Sequence, residues 1–107
     1  MRFGLKEKEI LAIQNVFSMH PEITCALLYG SRAQGNYRLG SDIDLVLQGK
    51  SLSHRLLNRI SLELDNLMLP YTFDLSIYEA IDNPELLQHI QEVEQNFYQK
   101  SSIASGS

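Results

Sequence analysis

From Lys6 to about Met19 the apolar residues Ile10, Ile13, Val16 and Phe17 return every three or four positions among charged neighbours, and His20-Pro21 ends the pattern. That spacing is one face of a helix, so a surface helix is predicted here. From Ile23 to Tyr29 the chain is almost continuously apolar between Pro21 and Gly30, as a strand buried on both faces would be. After a polar, glycine-punctuated segment from Gly30 to Ser41, the run Asp42-Ile43-Asp44-Leu45-Val46-Leu47 begins with strict alternation and predicts a second strand. Leu57, Ile60, Leu64 and Leu67 then form a helical stripe that Ser51 or Ser53 can cap, with Pro70 marking its end. Tyr71 to Ile77 alternates again, with Phe73, Leu75 and Ile77 on one face and Thr72, Asp74 and Ser76 on the other. Asn83-Pro84-Glu85 reads as a cap followed by proline at the first helical position, and Leu86, Ile90, Val93 and Phe97 continue as one stripe. The predicted order is helix, strand, short helix or loop, strand, helix, strand, helix.

A chain of 107 residues has room for one hydrophobic core, so a single domain over 1–100 is expected, with the small polar residues 101–107 as a frayed tail. The balance of 9 Lys plus Arg against 13 Asp plus Glu, a net charge of −4, disfavours stable binding along nucleic acid, which needs many cationic contacts to phosphate. The single cysteine, Cys25, has no partner for an internal disulfide or a Cys-rich zinc site, and core packing is the expectation for it. No apolar run approaches a membrane span and the N-terminus lacks a signal-peptide core, so no membrane association and a cytoplasmic location are expected.

Chemistry concentrates between Leu28 and Leu45. Gly30-Ser31 follows a buried strand and precedes a possible short helix, where backbone N–H groups and the Ser31 hydroxyl could hold a phosphate; a plain turn is the alternative. Gly30 and Gly35 have the spacing of a Walker A loop, but Asn36 and Tyr37 stand where its Lys and Ser/Thr belong, which excludes a P-loop NTPase. Asp42 and Asp44, two apart on a strand, leave the same face with Cα atoms roughly 6.5 Å apart. Such a pair repels itself unless a cation neutralises it or solvent screens it. Asp74 faces away from its apolar neighbours, and if its strand lies beside the Asp42/Asp44 strand, three carboxylates converge. Hard oxygen donors of this kind suit Mg²⁺, or Mn²⁺, rather than zinc. A pair of such ions about 3.5–4 Å apart clamps the attacking and leaving oxygens of a phosphoryl or nucleotidyl transfer. Arg32 and Arg38 are near enough in sequence to reach the same phosphates, or are ordinary solvated arginines. His20, His54 and His89 fall in unrelated elements and receive no role. Tyr37, Tyr71, Tyr78 and Tyr98 are candidates either for stacking on a base or for packing.

Gly30-Ser31, a spacer of ten residues, Asp42-x-Asp44 and a third carboxylate on a later strand resemble the minimal nucleotidyltransferases of the DNA polymerase β-like superfamily, and the resemblance extends over nearly the whole chain. It implies an α/β (α+β) fold, a small mixed sheet with helices packed on one face and the active site on the other. It also implies that Gly30 and Ser31 hold the triphosphate of ATP, beside which Arg32 stands as an auxiliary nucleotide-binding candidate, and that Asp42, Asp44 and Asp74 bind two Mg²⁺ ions. Asp74 would in addition receive the proton of the attacking hydroxyl. Stand-alone members pair with a helical HEPN-type protein as antitoxin and toxin, so the resemblance implies a protein adenylyltransferase that modifies a tyrosine of an RNase toxin. The alternative is a non-catalytic antitoxin or scaffold subunit that masks its helical partner. Antibiotic adenylylation shares the chemistry but usually needs an acceptor domain for which this length leaves no room.

Overall fold

The computed structural model describes residues 2–38 and 40–100. The expected tail at 101–107 lies outside the described residues. The chain runs α1 (Glu7–Ser18), β1 (Cys25–Tyr29), α2 (Ser31–Gln34), β2 (Ile43–Gln48), α3 (His54–Asp65), β3 (Phe73–Ile77), a 3₁₀ turn (Tyr78–Ala80), α4 (Pro84–Val93) and β4 (Gln95–Gln99). The strands form one sheet in the order β3-β2-β1-β4. β1 is antiparallel to both its neighbours, and β2 and β3 are parallel, so the sheet is mixed. Among the described residues no helix is long and apolar enough to cross a membrane.

Period two in the strands divides the sheet into two faces. Ala26, Leu28, Ile43, Leu45 and Leu47 point to one side and are completely buried. They meet Ile10, Ile13, Val16 and Phe17 of α1 and Leu57, Ile60 and Leu64 of α3 in the main core. Ser53 caps α3, its hydroxyl accepting from the Leu56 amide at 3.2 Å. A hydrogen bond of 2.7 Å between His20 Nε2 and Glu63 Oε1 ties the chain just after α1 to α3. Helices on one face, as expected, describes α1 and α3. α4 lies on the opposite face, where Ile90 packs with Tyr29 and Val46 in a second, smaller cluster. Asn83 caps α4 by accepting from the Glu85 and Leu86 amides at 2.9 and 3.3 Å, and Pro84 is its first residue.

The C-terminal element departs from the sequence expectation. The stripe Leu86, Ile90, Val93, Phe97 predicts one continuous helix, but the helix stops at Val93 and Gln95–Gln99 forms β4 against β1. Phe97 is buried in the main core on the face opposite α4. A residue four places after Val93 satisfies helical periodicity and an inward strand position alike, so spacing alone does not separate the two. What decides is the open edge of β1, whose backbone groups need partners.

α4 is held mainly by the small cluster around Ile90, which is fully buried. Ile90→Ala is therefore expected to destabilise the chain by about 2–5 kcal/mol, seen as a lower urea midpoint with the slope of the transition unchanged.

Candidate active site

The half of the sheet face that α4 leaves uncovered carries the acidic residues. β1 and β2 pair Tyr29 with Asp44, and β2 and β3 pair Asp44 with Asp74. Three neighbouring strands thus place a phenol and two carboxylates in one row. The hydrophobic pattern forces this, because burying Ile43, Leu45 and Leu47 turns Asp44 outward, and burying Ile77 does the same for Asp74. Asp42 stands one residue before β2 and is exposed. Its charge still reaches Asp44, which is half-buried.

Burial, followed by the charges of Asp74 and then Asp42, raises the Asp44 carboxyl above the usual carboxylate value, and the Arg32 guanidinium opposes this only weakly. The buried Tyr29 phenol is likewise raised, first by burial and then, against a hydrogen bond from Ser76, by the charges of Asp74 and Asp44. Both shifts arise first from burial, and the negative charge on this face adds to them. The donors are carboxylate oxygens only, which fits Mg²⁺ or Mn²⁺ and not zinc. Among the described residues no cluster of three or more His, Cys, Asp or Glu side chains is arranged to hold a metal ion. An ion that keeps waters and takes phosphate oxygens does not need such a cage.

Gly30 joins β1 to α2 with φ 77° and ψ −157°, a region essentially restricted to glycine. A Cβ there would collide with the Asp44 carboxylate. The glycine therefore lets the backbone pass directly against an acidic side chain. The first hydrogen bond of α2 runs from the Gln34 amide to the Gly30 carbonyl at 3.1 Å. The amides at 31–33 therefore have no partner within the helix, and they lie beside the Ser31 hydroxyl next to the carboxylates.

Arg32 is buried rather than solvated, with only 3% exposure. Its Nε and Nη2 donate to the Ser41 carbonyl at 3.1 and 2.8 Å, and Nη1 donates to the Phe3 carbonyl at 2.8 Å. The rings of Tyr37 and Tyr71 lie against its guanidinium, with centroids 5.4 and 5.0 Å away, as cation–π contacts. Three of its five N–H groups are thus engaged inside the fold. Arg38 is exposed. Tyr37 and Tyr71 line a pocket of about 570 Å³ with Arg32, Arg38 and Pro70. Tyr98 packs on Phe17 and Tyr78 against the α4 cluster, which places both in packing roles. Tyr29, which the sequence did not single out as functional, joins the acidic row. Only the strand register, not the motif, reveals it.

Residues 12–103 match the family described as "Polymerase beta, Nucleotidyltransferase". No curated protein matches the chain. Among solved structures, a toxin-antitoxin complex with AMP-PNP aligns with a TM-score of 0.68 at 19% identity, covering 94% of this chain and 79% of that one. A tri-AMPylated Shewanella oneidensis HEPN toxin in complex with MNT antitoxin aligns with a TM-score of 0.67 at 13% identity, over 95% and 78% of the two chains. An MntA-HepT toxin-antitoxin structure gives 0.66 at 14% identity, over 94% and 78%. At these identities the likeness is one of fold.

Two variants probe the geometry. Gly30→Ala is expected to lower stability by at least about 1–3 kcal/mol from backbone strain alone, measurable by denaturant titration. For Asp44, a carboxyl raised in the fold favours the folded chain at pH below its unfolded value, and that contribution is lost as pH rises through the raised folded value. Metal-free Asp44→Asn should therefore melt above wild type near pH 7.5. The difference should shrink as the pH is lowered and the wild-type carboxyl is itself protonated.

Proposed function

The chain belongs to the polymerase beta nucleotidyltransferase family, and from that premise we propose that it transfers AMP from ATP to a hydroxyl of a helical partner protein, with Mg²⁺ or Mn²⁺, acting as an antitoxin toward a HEPN-type toxin. The observation that carries the chemistry is the register Asp44↔Asp74 beside the glycine-only turn at Gly30. That carboxylates and the amides at 31–33, which have no partner within their helix, lie on either side of Gly30 supports their sharing one triphosphate. The choice of a protein acceptor is supported by the fold shared with antitoxins in complexes, one of which contains a tri-AMPylated HEPN toxin.

In this reading the amides at 31–33 and the Ser31 hydroxyl hold the outer phosphates of ATP, and Asp42, Asp44 and Asp74 hold the metal ions. When bound, the metals neutralise the phosphates and stabilise the charge that develops on the attacking and leaving oxygens. The acceptor hydroxyl, a tyrosine phenol by this proposal, attacks the α-phosphorus. The new O–P bond forms as the α–β bridging P–O bond breaks, pyrophosphate leaves, and Asp74 accepts the proton. Alignment of the hydroxyl with the leaving group supplies much of the acceleration, because this transfer needs little covalent help from the protein. Tyr29 lines the same row from β1.

Titration of the chain with ATP should show binding with Mg²⁺ and at least about tenfold weaker binding without it, and the double variant Asp42→Asn/Asp44→Asn should lose the metal-dependent part. In complex with the toxin, the same variant should keep partner binding and lose protection of the cell. Protection that survives the double variant would instead favour an antitoxin that works by masking its partner.

A further inference from the structure

Asp42 is the one carboxylate of the proposed metal set that lies outside the sheet ladder. Nothing in strand pairing fixes its leading side, and it follows the glycine-containing segment 35–41. Yet both peptide planes that flank it are anchored. On its far side the Ile43 amide donates to the Thr72 carbonyl at 2.8 Å, at the entrance to β3. On its near side the Ser41 carbonyl receives two N–H groups of Arg32, from Nε at 3.1 Å and Nη2 at 2.8 Å. The Ser41 carbonyl and the Asp42 amide belong to one planar unit, so gripping the first orients the second. The turn is also closed locally, with the Ser41 amide on the Arg38 carbonyl at 3.0 Å and the Arg38 amide on the Ser41 hydroxyl at 2.8 Å.

Arg32 is itself held from behind. Nη1 donates to Phe3 in a tight turn closed by two bonds between Arg2 and Leu5, of 3.1 and 2.8 Å. Leu5 anchors that turn in the core with no exposure. Tyr71, whose ring lies against the guanidinium, donates its hydroxyl to Glu9 of α1 at 3.0 Å. Gly4 has φ +75°, and a Cβ there would come within 2.8 Å of Arg32 Nη1 and 2.9 Å of Tyr37 Cζ. The turn at residues 2–5, α1 and the segment before β3 thus converge on one side chain that grips the peptide leading into Asp42.

We propose that Arg32 is a positioning residue for the Asp42 metal ligand, acting through the Ser41 carbonyl with the Phe3–Gly4 turn as its support, and that it makes no contact with the nucleotide phosphates. This rests on the metal-dependent reading above. Lysine, a single flexible point charge, cannot reproduce a grip by two N–H groups of one planar fork, and support of this kind around a metal ligand typically tunes metal affinity 10–100-fold.

The test compares wild type, Arg32→Lys and Gly4→Ala in the full chain. ATP is titrated across Mg²⁺ concentrations, and backbone amide NMR spectra are recorded without metal. Both variants should need at least about tenfold more Mg²⁺ for half-maximal ATP binding. ATP affinity at saturating Mg²⁺ should stay within about threefold of wild type, since the nucleotide contacts are untouched. The Asp42 and Ile43 amide signals should move in both metal-free variants. ATP affinity that stays about tenfold weaker at saturating Mg²⁺ in Arg32→Lys would mean a direct phosphate contact and would overturn the proposal. So would an unchanged metal requirement, unmoved Asp42 and Ile43 signals, or failure of both variants to fold, which would make Arg32 a purely structural residue. If wild type binds no ATP under any metal condition, the functional reading fails by itself, and the amide signals still decide whether Arg32 sets Asp42.

Discussion

A strand cannot choose its two faces independently, and the candidate site depends on that constraint. β2 buries Ile43, Leu45 and Leu47 completely, and the pleat then sends Asp44 and Val46 to the other side. One half of that side is closed by α4 on Val46, and the other half is left to Asp44. Parallel pairing with β3 brings Asp74 alongside, and antiparallel pairing with β1 brings Tyr29. A slip of one residue in β2 would drive the carboxylate into the core and a leucine into the open. Core and site are therefore specified by the same alternation, and the apolar residues of β2 position the acids as surely as any contact the acids make themselves.

Around this row the fold carries charge in two different ways. Asp42 and Asp74 stay exposed, and their charges add to the burial that raises Asp44. The single buried arginine is treated in the opposite way, enclosed by two carbonyls and two aromatic rings. Buried charge without partners is strongly unfavourable. Three hydrogen bonds and two π faces meet that demand while holding together segments distant in sequence.

Much of this was legible from residue order. Alternation gave β2 and β3, the continuous apolar run gave β1, and helical stripes with Ser53 and Asn83 as caps gave α3 and α4. The carboxylates Asp42, Asp44 and Asp74 stood out because aspartate is a poor strand former, so its presence there calls for a reason. What escaped depends on contacts between distant segments. β4 is a strand because β1 needs a partner, not because of its own five residues. The placement of α4 on the acidic face follows from Ile90 meeting Val46, a pairing no local spacing encodes. Tyr29 enters the site only through its register with Asp44. Arg32 drew notice because it follows Gly30-Ser31, while the carbonyls its guanidinium meets, 29 positions earlier and 9 positions later, lie beyond any local spacing.

The anchoring of both peptide planes around Asp42 has a thermodynamic consequence. A ligand side chain on a free loop must give up its conformational freedom at the moment it meets an ion, and that loss, about 1–2 kcal/mol for each backbone residue fixed, is subtracted from the affinity. Here the ordering belongs to the folding transition, where the main core carries it along with everything else. In the proposed metal site, an arriving ion would meet a carboxylate whose backbone has already surrendered its entropy.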